Sequence, residues 1–194
     1  GEARRINVPN LKILEDKLAK LDGGLVLLQM LAKDSLAVNL EALKILRGLG
    51  YEGVYVSLSK SYAELAKALR EQGIEAEGIC FLDGVSQMYG LAQVISPEVS
   101  YVNSPLELTP LAEKIVKAVS VLSSEKKFVL FDSATVVLLY NALARSLVFC
   151  RSQSESLKRL NVLFIVEFVS LAQASNDLTR ELEKMSSEVI DLQS

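Results

Sequence analysis

What most constrains this chain is a succession of short, nearly uninterrupted apolar runs: Leu25–Met30, Val54–Leu58, Gly78–Leu82, Phe128–Phe131 and Val162–Phe168. A strand with one wet face alternates apolar and polar residues. These runs do not alternate, so each must be covered on both faces. Segments with helical spacing lie between most of them and supply that cover. The arrangement that satisfies both demands is an α/β fold of three layers, αβα, in which a mainly parallel sheet is joined by right-handed crossovers.

Local signals fix many of the element ends. After Leu25–Met30 the spacing of Leu36, Leu40, Leu43, Ile45 and Leu46 predicts a helix, with Asp34 placed to cap it and Gly48 and Gly50 to end it. After Val54–Leu58, Ser61-x-x-Glu64 has the form of a capping box, Tyr62, Leu65, Ala66 and Leu69 make the buried face, and Gly73 closes the helix. Gly78–Leu82 ends at the turn residues Asp83-Gly84. A short helix is expected over Met88–Ala92 and a strand over Val99–Val102, separated by Pro97. Ser104-Pro105 and Thr109-Pro110 look like helix starts, with the helix itself over Leu111–Leu122. Phe128–Phe131 reads as a central strand closing on Asp132-Ser133. One helix is expected over Ala134–Phe149, a polar connection over Arg151–Arg159, a helix near Asp177–Met185 and a last strand at Val189–Leu192. The whole reads as a single domain, 1–194, with residues 1–22 as an N-terminal extension.

At 194 residues the chain is long enough to bury about 70% of its unfolded surface without disulfide or metal staples. It has no histidine, which removes the commonest general base and metal ligand and with it Ser-His and Cys-His nucleophile systems. Cys80 and Cys150 lie in apolar stretches without C-x-x-C spacing and read as free core thiols. No catalytic residue, metal site or cofactor is therefore expected. The net charge of −3 is dispersed, and the basic pairs Arg4-Arg5, Lys126-Lys127 and Lys158-Arg159 read as solvated edges, so no nucleic-acid contact is expected. The longest apolar segment, Ala134–Cys150, is interrupted by Asn141, Arg145 and Ser146 and falls short of the roughly 18 residues of a membrane span. With no signal-peptide pattern at the N-terminus, cytoplasmic residence is the default expectation.

Three passages carry a family resemblance. "GLVLLQM…SLAVNLEALKILRGLGYEGVYVSLS" resembles the first strand, first helix and second strand of the RecA superfamily, and within it the KaiC-like archaeal and bacterial ATPases of the P-loop NTPase fold. "KFVLFDSAT" resembles their Walker B strand, and "DLTRELEKMSSEVIDL" their C-terminal hairpin region. In that family a glycine-rich loop wraps phosphate with backbone N–H groups, a lysine neutralises it, and a hydroxyl holds magnesium. The corresponding segment here, "MLAKDS", has no glycine. If Ser35 matches the hydroxyl, Asp34 stands where the lysine belongs; sliding by one brings Lys33 to the lysine position but loses the hydroxyl. The acidic residue expected after the second strand is replaced by Ser59-Lys60-Ser61. The resemblance thus implies a vestigial cofactor site at Lys33, Ser35, Asp132 and Ser133, with Asp132 otherwise serving as a cap for the next helix.

Ser57, Ser59, Asp83 and Thr135 are further candidates for one cleft at the carboxyl edge of the sheet, and Glu167 for a buried carboxylate, although each residue type is common in turns and caps. The implied function is that of a non-catalytic, regulatory or scaffolding relative acting through a protein partner or as a homo-oligomer. The alternative is a nucleotide or small-metabolite sensor at the same edge. With phosphate gone, Leu31 and Leu36 are expected to close over the old cleft, and Asp132→Ala or Ser35→Ala to change stability only modestly.

Overall fold

A computed structural model describes residues 7–170 and 177–193, so the basic pair Arg4-Arg5 lies outside the described residues. The strands are β1 Leu25–Leu31, β2 Glu52–Ser57, β3 Ile79–Asp83, β4 Val99–Tyr101, β5 Lys127–Asp132, β6 Val162–Ser170 and β7 Glu188–Asp191. They form one sheet in the order β4-β3-β2-β5-β6-β1-β7, and every pairing is parallel. β5, read as central, is the middle strand.

The double coverage that the apolar runs demanded comes from two helical layers. Val26, Leu28 and Met30 of β1 pack in one core, with α1 Leu11–Ala19, α2 Ser35–Gly48 and α3 Tyr62–Glu71. Leu25 and Leu27 face a second core under α4 Leu108–Ser120, α5 Ala134–Tyr140, α6 Leu143–Arg159 and α7 Asp177–Met185. Within the sheet, a Cβ on Gly53 of β2 would stand 2.3 Å from the ring of Phe128, its partner on β5, so glycine is required there. Among the described residues no helix is long and apolar enough to cross a membrane.

Several local expectations need correction. Residues 11–19, assigned to an extension, form α1, whose Leu14 and Leu18 are buried in the first core. Asp34 precedes α2 but its side chain makes no capping bond. Ser61 does cap α3, accepting from the Glu64 N–H at 3.2 Å. No helix forms over Met88–Ala92, because Asp83 draws the Val85 and Ser86 N–H groups into a tight turn and residues 87–95 are exposed, with no face to bury. The helix expected over Ala134–Phe149 breaks at Asn141, whose side-chain amide donates to the carbonyls of Val137 and Pro105. Arg151–Arg159 is helical rather than a connection, since Gln153 and Leu157 continue the buried face of α6. The helix expected near Asp177–Met185 and the strand after it are present as α7 and β7, and with β7 parallel to β1 they do not make the hairpin that the resemblance implied.

Candidate functional site

β2 and β5 end side by side, with Ser57 paired to Asp132, while β6, beside β5, pairs Val166 with Phe131 and continues to Ser170. Leu130 and Ile165 belong to the core beneath α2. The period of two therefore puts Asp132 and Glu167 on the same face, together with Tyr55. From above, α2 presents Ser35 and Asn39, one helical turn apart. Five polar side chains thus meet in an otherwise apolar layer, and Ser35, Asn39, Tyr55, Asp132 and Glu167 are all buried.

Oδ2 of Asp132 is the hub. It accepts from Tyr55 Oη at 2.7 Å, Asn39 Nδ2 at 3.2 Å and Lys60 Nζ at 3.4 Å. Asn39 Nδ2 also donates to Tyr55 Oη at 2.8 Å. Lys60 comes from the loop after β2, where Ser57 Oγ bonds both its N–H and its carbonyl. Its ammonium reaches Ser35 Oγ at 3.2 Å and Ser59 Oγ at 3.4 Å as well as Asp132. With side chains 13% and 1% exposed, Lys60 and Asp132 form a mostly buried ion pair.

Glu167 is different. It is fully buried, and among the described residues neither carboxyl oxygen has a hydrogen-bond partner; nor does Asn39 Oδ1. Burial first, then the Asp132 charge, raises its pKa well above the ordinary 4.5; Lys60 opposes the rise, as does the nearby Asn39 amide, which stops short of hydrogen-bond geometry with it. The Tyr55 hydroxyl is likewise pushed well above 10.0 by burial and then by the Asp132 and Glu167 charges. A strand can carry such a residue because its neighbours outweigh it. Six apolar side chains flank Glu167 in the buried part of β6. Each contributes about 1.5–3 kcal/mol, against a few kcal/mol for one neutral, unbonded carboxyl.

Of the four residues assigned to a vestigial cofactor site, two meet. Ser35 and Asp132 share the Lys60 ammonium. Lys33 is exposed on the 3-10 turn Ala32–Asp34, outside the cluster, and Ser133 caps α5 by accepting from Val136 N–H. Asp132 caps nothing; its cap reading gives way to the bonds with Tyr55, Asn39 and Lys60. Ser57 staples the loop, and Thr135 ties α5 to the Val169 backbone. Asp83 is consumed by its own turn, accepting from Tyr62, Val85 and Ser86. The groups next to Asp132 are polar, so Leu31 and Leu36, both only half buried, are not what fills that space.

Sequence reasoning missed Lys60, Tyr55 and Asn39. Asn39 did leave a signal: it is a polar residue four after Ser35 on the apolar face of α2. Tyr55 and Lys60 left none. Nor do these residues suit a magnesium-bound phosphate. The 31–35 turn offers no glycine cradle, and an ammonium already bridges the hydroxyl and the carboxylate.

No family model matches the sequence, and no curated protein matches it. Solved structures do. A KaiC-like protein from the hyperthermophilic archaeon Pyrococcus horikoshii superposes with a TM-score of 0.66 at 18% identity, covering 96% of this chain and 80% of that one. An uncharacterised protein of the same organism, solved in complex with an unknown peptide, gives a TM-score of 0.62 at 12% identity over 94% and 83% of the two chains. With its all-parallel sheet between two helical layers, the chain has the RecA-like fold seen in KaiC-like proteins.

Proposed function

We propose that this protein is a non-catalytic RecA-like domain that acts through protein contacts, as a regulatory or scaffolding partner or as a homo-oligomer. One observation carries the reading: β1 passes into α2 through a single 3-10 turn, where a phosphate-binding loop would need an extended run of free backbone N–H groups. A second supports the mode of action. Tyr89, Leu91, Ile95, Leu106 and Leu139 are exposed on the segments that follow β3, β4 and β5, and Ile95 is fully so. The Tyr89–Tyr140 hydroxyl contact at 3.0 Å and the Asn141–Pro105 bond tie the segments that bear them into one ridge. Apolar ridges of this kind mark protein contact surfaces. The structural neighbour solved with a peptide is consistent with this mode of action.

Light scattering of the purified protein, and of Ile95→Asp and Leu139→Asp variants that bury nothing new, tests the reading. Association lost in the variants at unchanged melting temperature supports it. A strictly monomeric protein with no retained partner overturns it. No magnesium-dependent nucleotide binding is expected by calorimetry; a Kd near 1 μM, about −8 kcal/mol, abolished by Asp132→Ala, would overturn the non-catalytic assignment. The sensor alternative rests on the unpartnered oxygens of Glu167 and Asn39, and stabilisation by a small metabolite in a melting screen would favour it.

A further inference from the structure

Lys60 sits where three oxygens converge: its Nζ lies 3.2 Å from Ser35 Oγ, 3.4 Å from Asp132 Oδ2 and 3.4 Å from Ser59 Oγ. These groups come from α2, β5 and the loop after β2. Just beyond them lie buried oxygens with no hydrogen-bond partner among the described residues, both from the Glu167 carboxyl and one from the Asn39 amide. Hydroxyl, carboxylate and amide oxygens make a hard donor set, suited to a small divalent cation and unsuited to soft metals. A metal ion in this space would need the volume and the carboxylate that the ammonium already holds.

We propose that the Lys60 ammonium is a resident cation, which clamps Ser35 to Asp132 as a bound metal ion would and thereby keeps divalent cations out of the oxygen cluster formed by Ser35, Asn39, Asp132 and Glu167. Lys60 is well anchored for such a role. Ser57 Oγ holds the Lys60 backbone at both its N–H and its carbonyl, so the side chain starts from a fixed point at the end of β2. Only 13% of that side chain is exposed, so solvent competes weakly for the ammonium. The attraction of the Lys60–Asp132 pair grows as water is excluded from it, so a competing cation has to displace an ammonium that is already held. The clamp also fixes the first turn of α2 against β5 without phosphate. The inference concerns the cleft alone and stands whether or not the apolar ridge mediates association.

The test compares the unaltered chain with Lys60→Met and with Lys60→Met/Asp132→Asn, reading free Mn2+ by electron paramagnetic resonance and thermal stability with and without Mn2+. The unaltered protein is expected to sequester no Mn2+ and to melt at the same temperature in its presence. Lys60→Met is expected to melt lower, to recover part of the loss in Mn2+, and to bind the ion about tenfold or more tightly than its parent. The double variant should do neither. Equal Mn2+ uptake by the unaltered protein and Lys60→Met would overturn the proposal, as would a Lys60→Met protein that is as stable as its parent and indifferent to Mn2+. Lys60→Gln, which keeps a hydrogen-bond donor without the charge, covers the case in which Lys60→Met does not fold: Mn2+ uptake by it supports the resident cation, and indifference overturns it. Light scattering of the same variants separates this result from the association reading, which the cleft substitutions should leave unchanged.

Discussion

Asp83 and Glu167 are both buried acids on the same face of one sheet, yet they are held in opposite ways. Asp83, the last residue of β3, accepts from the N–H groups of Tyr62, Val85 and Ser86 and from the Ser86 hydroxyl. Glu167 accepts no hydrogen bond from any of the described residues. The difference follows from position along the strand. At a strand end the chain turns and its backbone donors are free to converge on a carboxylate. Inside β6, whose pairing with β1 continues to Ser170, the ladder has already taken them. Only side chains can serve an acid there, and those within reach serve Asp132 instead. Asp83 thus builds a turn, whereas Glu167 and Asp132 form a cluster whose members depend on one another across distant parts of the sequence.

The largest effect should come from the turn. Asp83→Ala strips a charged acceptor from three buried backbone N–H groups that have no alternative, and should destabilise the fold by about 4 kcal/mol. Asp132→Ala removes the acceptor that Tyr55, Asn39 and Lys60 share and leaves the Lys60 charge without its counter-ion, a loss of about 3 kcal/mol, smaller because the partly exposed lysine can turn outward. This revises the modest effect expected from the sequence. Urea denaturation of both variants checks the order, and an Asp132 variant less stable than the Asp83 variant would break the comparison.

Glu167→Gln should act in the other direction. The folded-state pKa of Glu167 is raised and its unfolded value lies near 4.5, so folding binds the proton. Stability from this group is complete below about pH 4.5 and is lost as pH rises towards the folded pKa, at up to about 1.4 kcal/mol per unit. Glutamine stays neutral throughout. The variant should therefore match its parent near pH 4, exceed it near pH 8, and show a flatter profile between. A variant less stable than its parent near pH 8 would mean instead that Glu167 is ionised and held by a partner.

The contrast between the two acids also explains what was legible in the sequence. Runs such as Val162–Phe168 and Phe128–Phe131 gave the strands, because burial on both faces is written in consecutive residues. The Ser61 cap and the Gly73 stop are local in the same sense. The break at Asn141 was hidden, because it rests on a bond to Pro105, 36 residues away. Helix α1 was missed because its buried face amounts to Leu14 and Leu18 on an otherwise solvated segment. At the site, Asp132 and Ser35 were legible from resemblance, and Lys60 was read only as a missing acid. Its role depends on partners 25 and 72 residues distant, and nothing in Ser59-Lys60-Ser61 announces them. Glu167 was visible as an acid in an apolar run, but its lack of any partner is a property of the assembled sheet.

The smallest effect gives the sharpest test, because Lys60 and Ser61 are neighbours that belong to different regions. Lys60 reaches back to Asp132 beneath α2. Ser61 caps α3 by accepting from Glu64 N–H, and Asp83 takes the adjacent Tyr62 N–H at 2.8 Å, so Ser61 and Asp83 share one helix start. Ser61→Ala alone should destabilise by about 1 kcal/mol. Combined with Asp83→Ala it should fall short of additivity by about 0.5 kcal/mol or more, since the first loss already loosens the turn that the second acts on. Combined with Asp132→Ala it should add within about 0.3–0.5 kcal/mol, although residue 60 bonds Asp132 directly. The Ser57 staple is the reason: by fixing the Lys60 backbone it isolates the helix start from whatever the lysine side chain does. Strong coupling between Ser61 and Asp132 in this cycle would show instead that the loop after β2 transmits strain from the cluster to α3, and that the two acids belong to one unit.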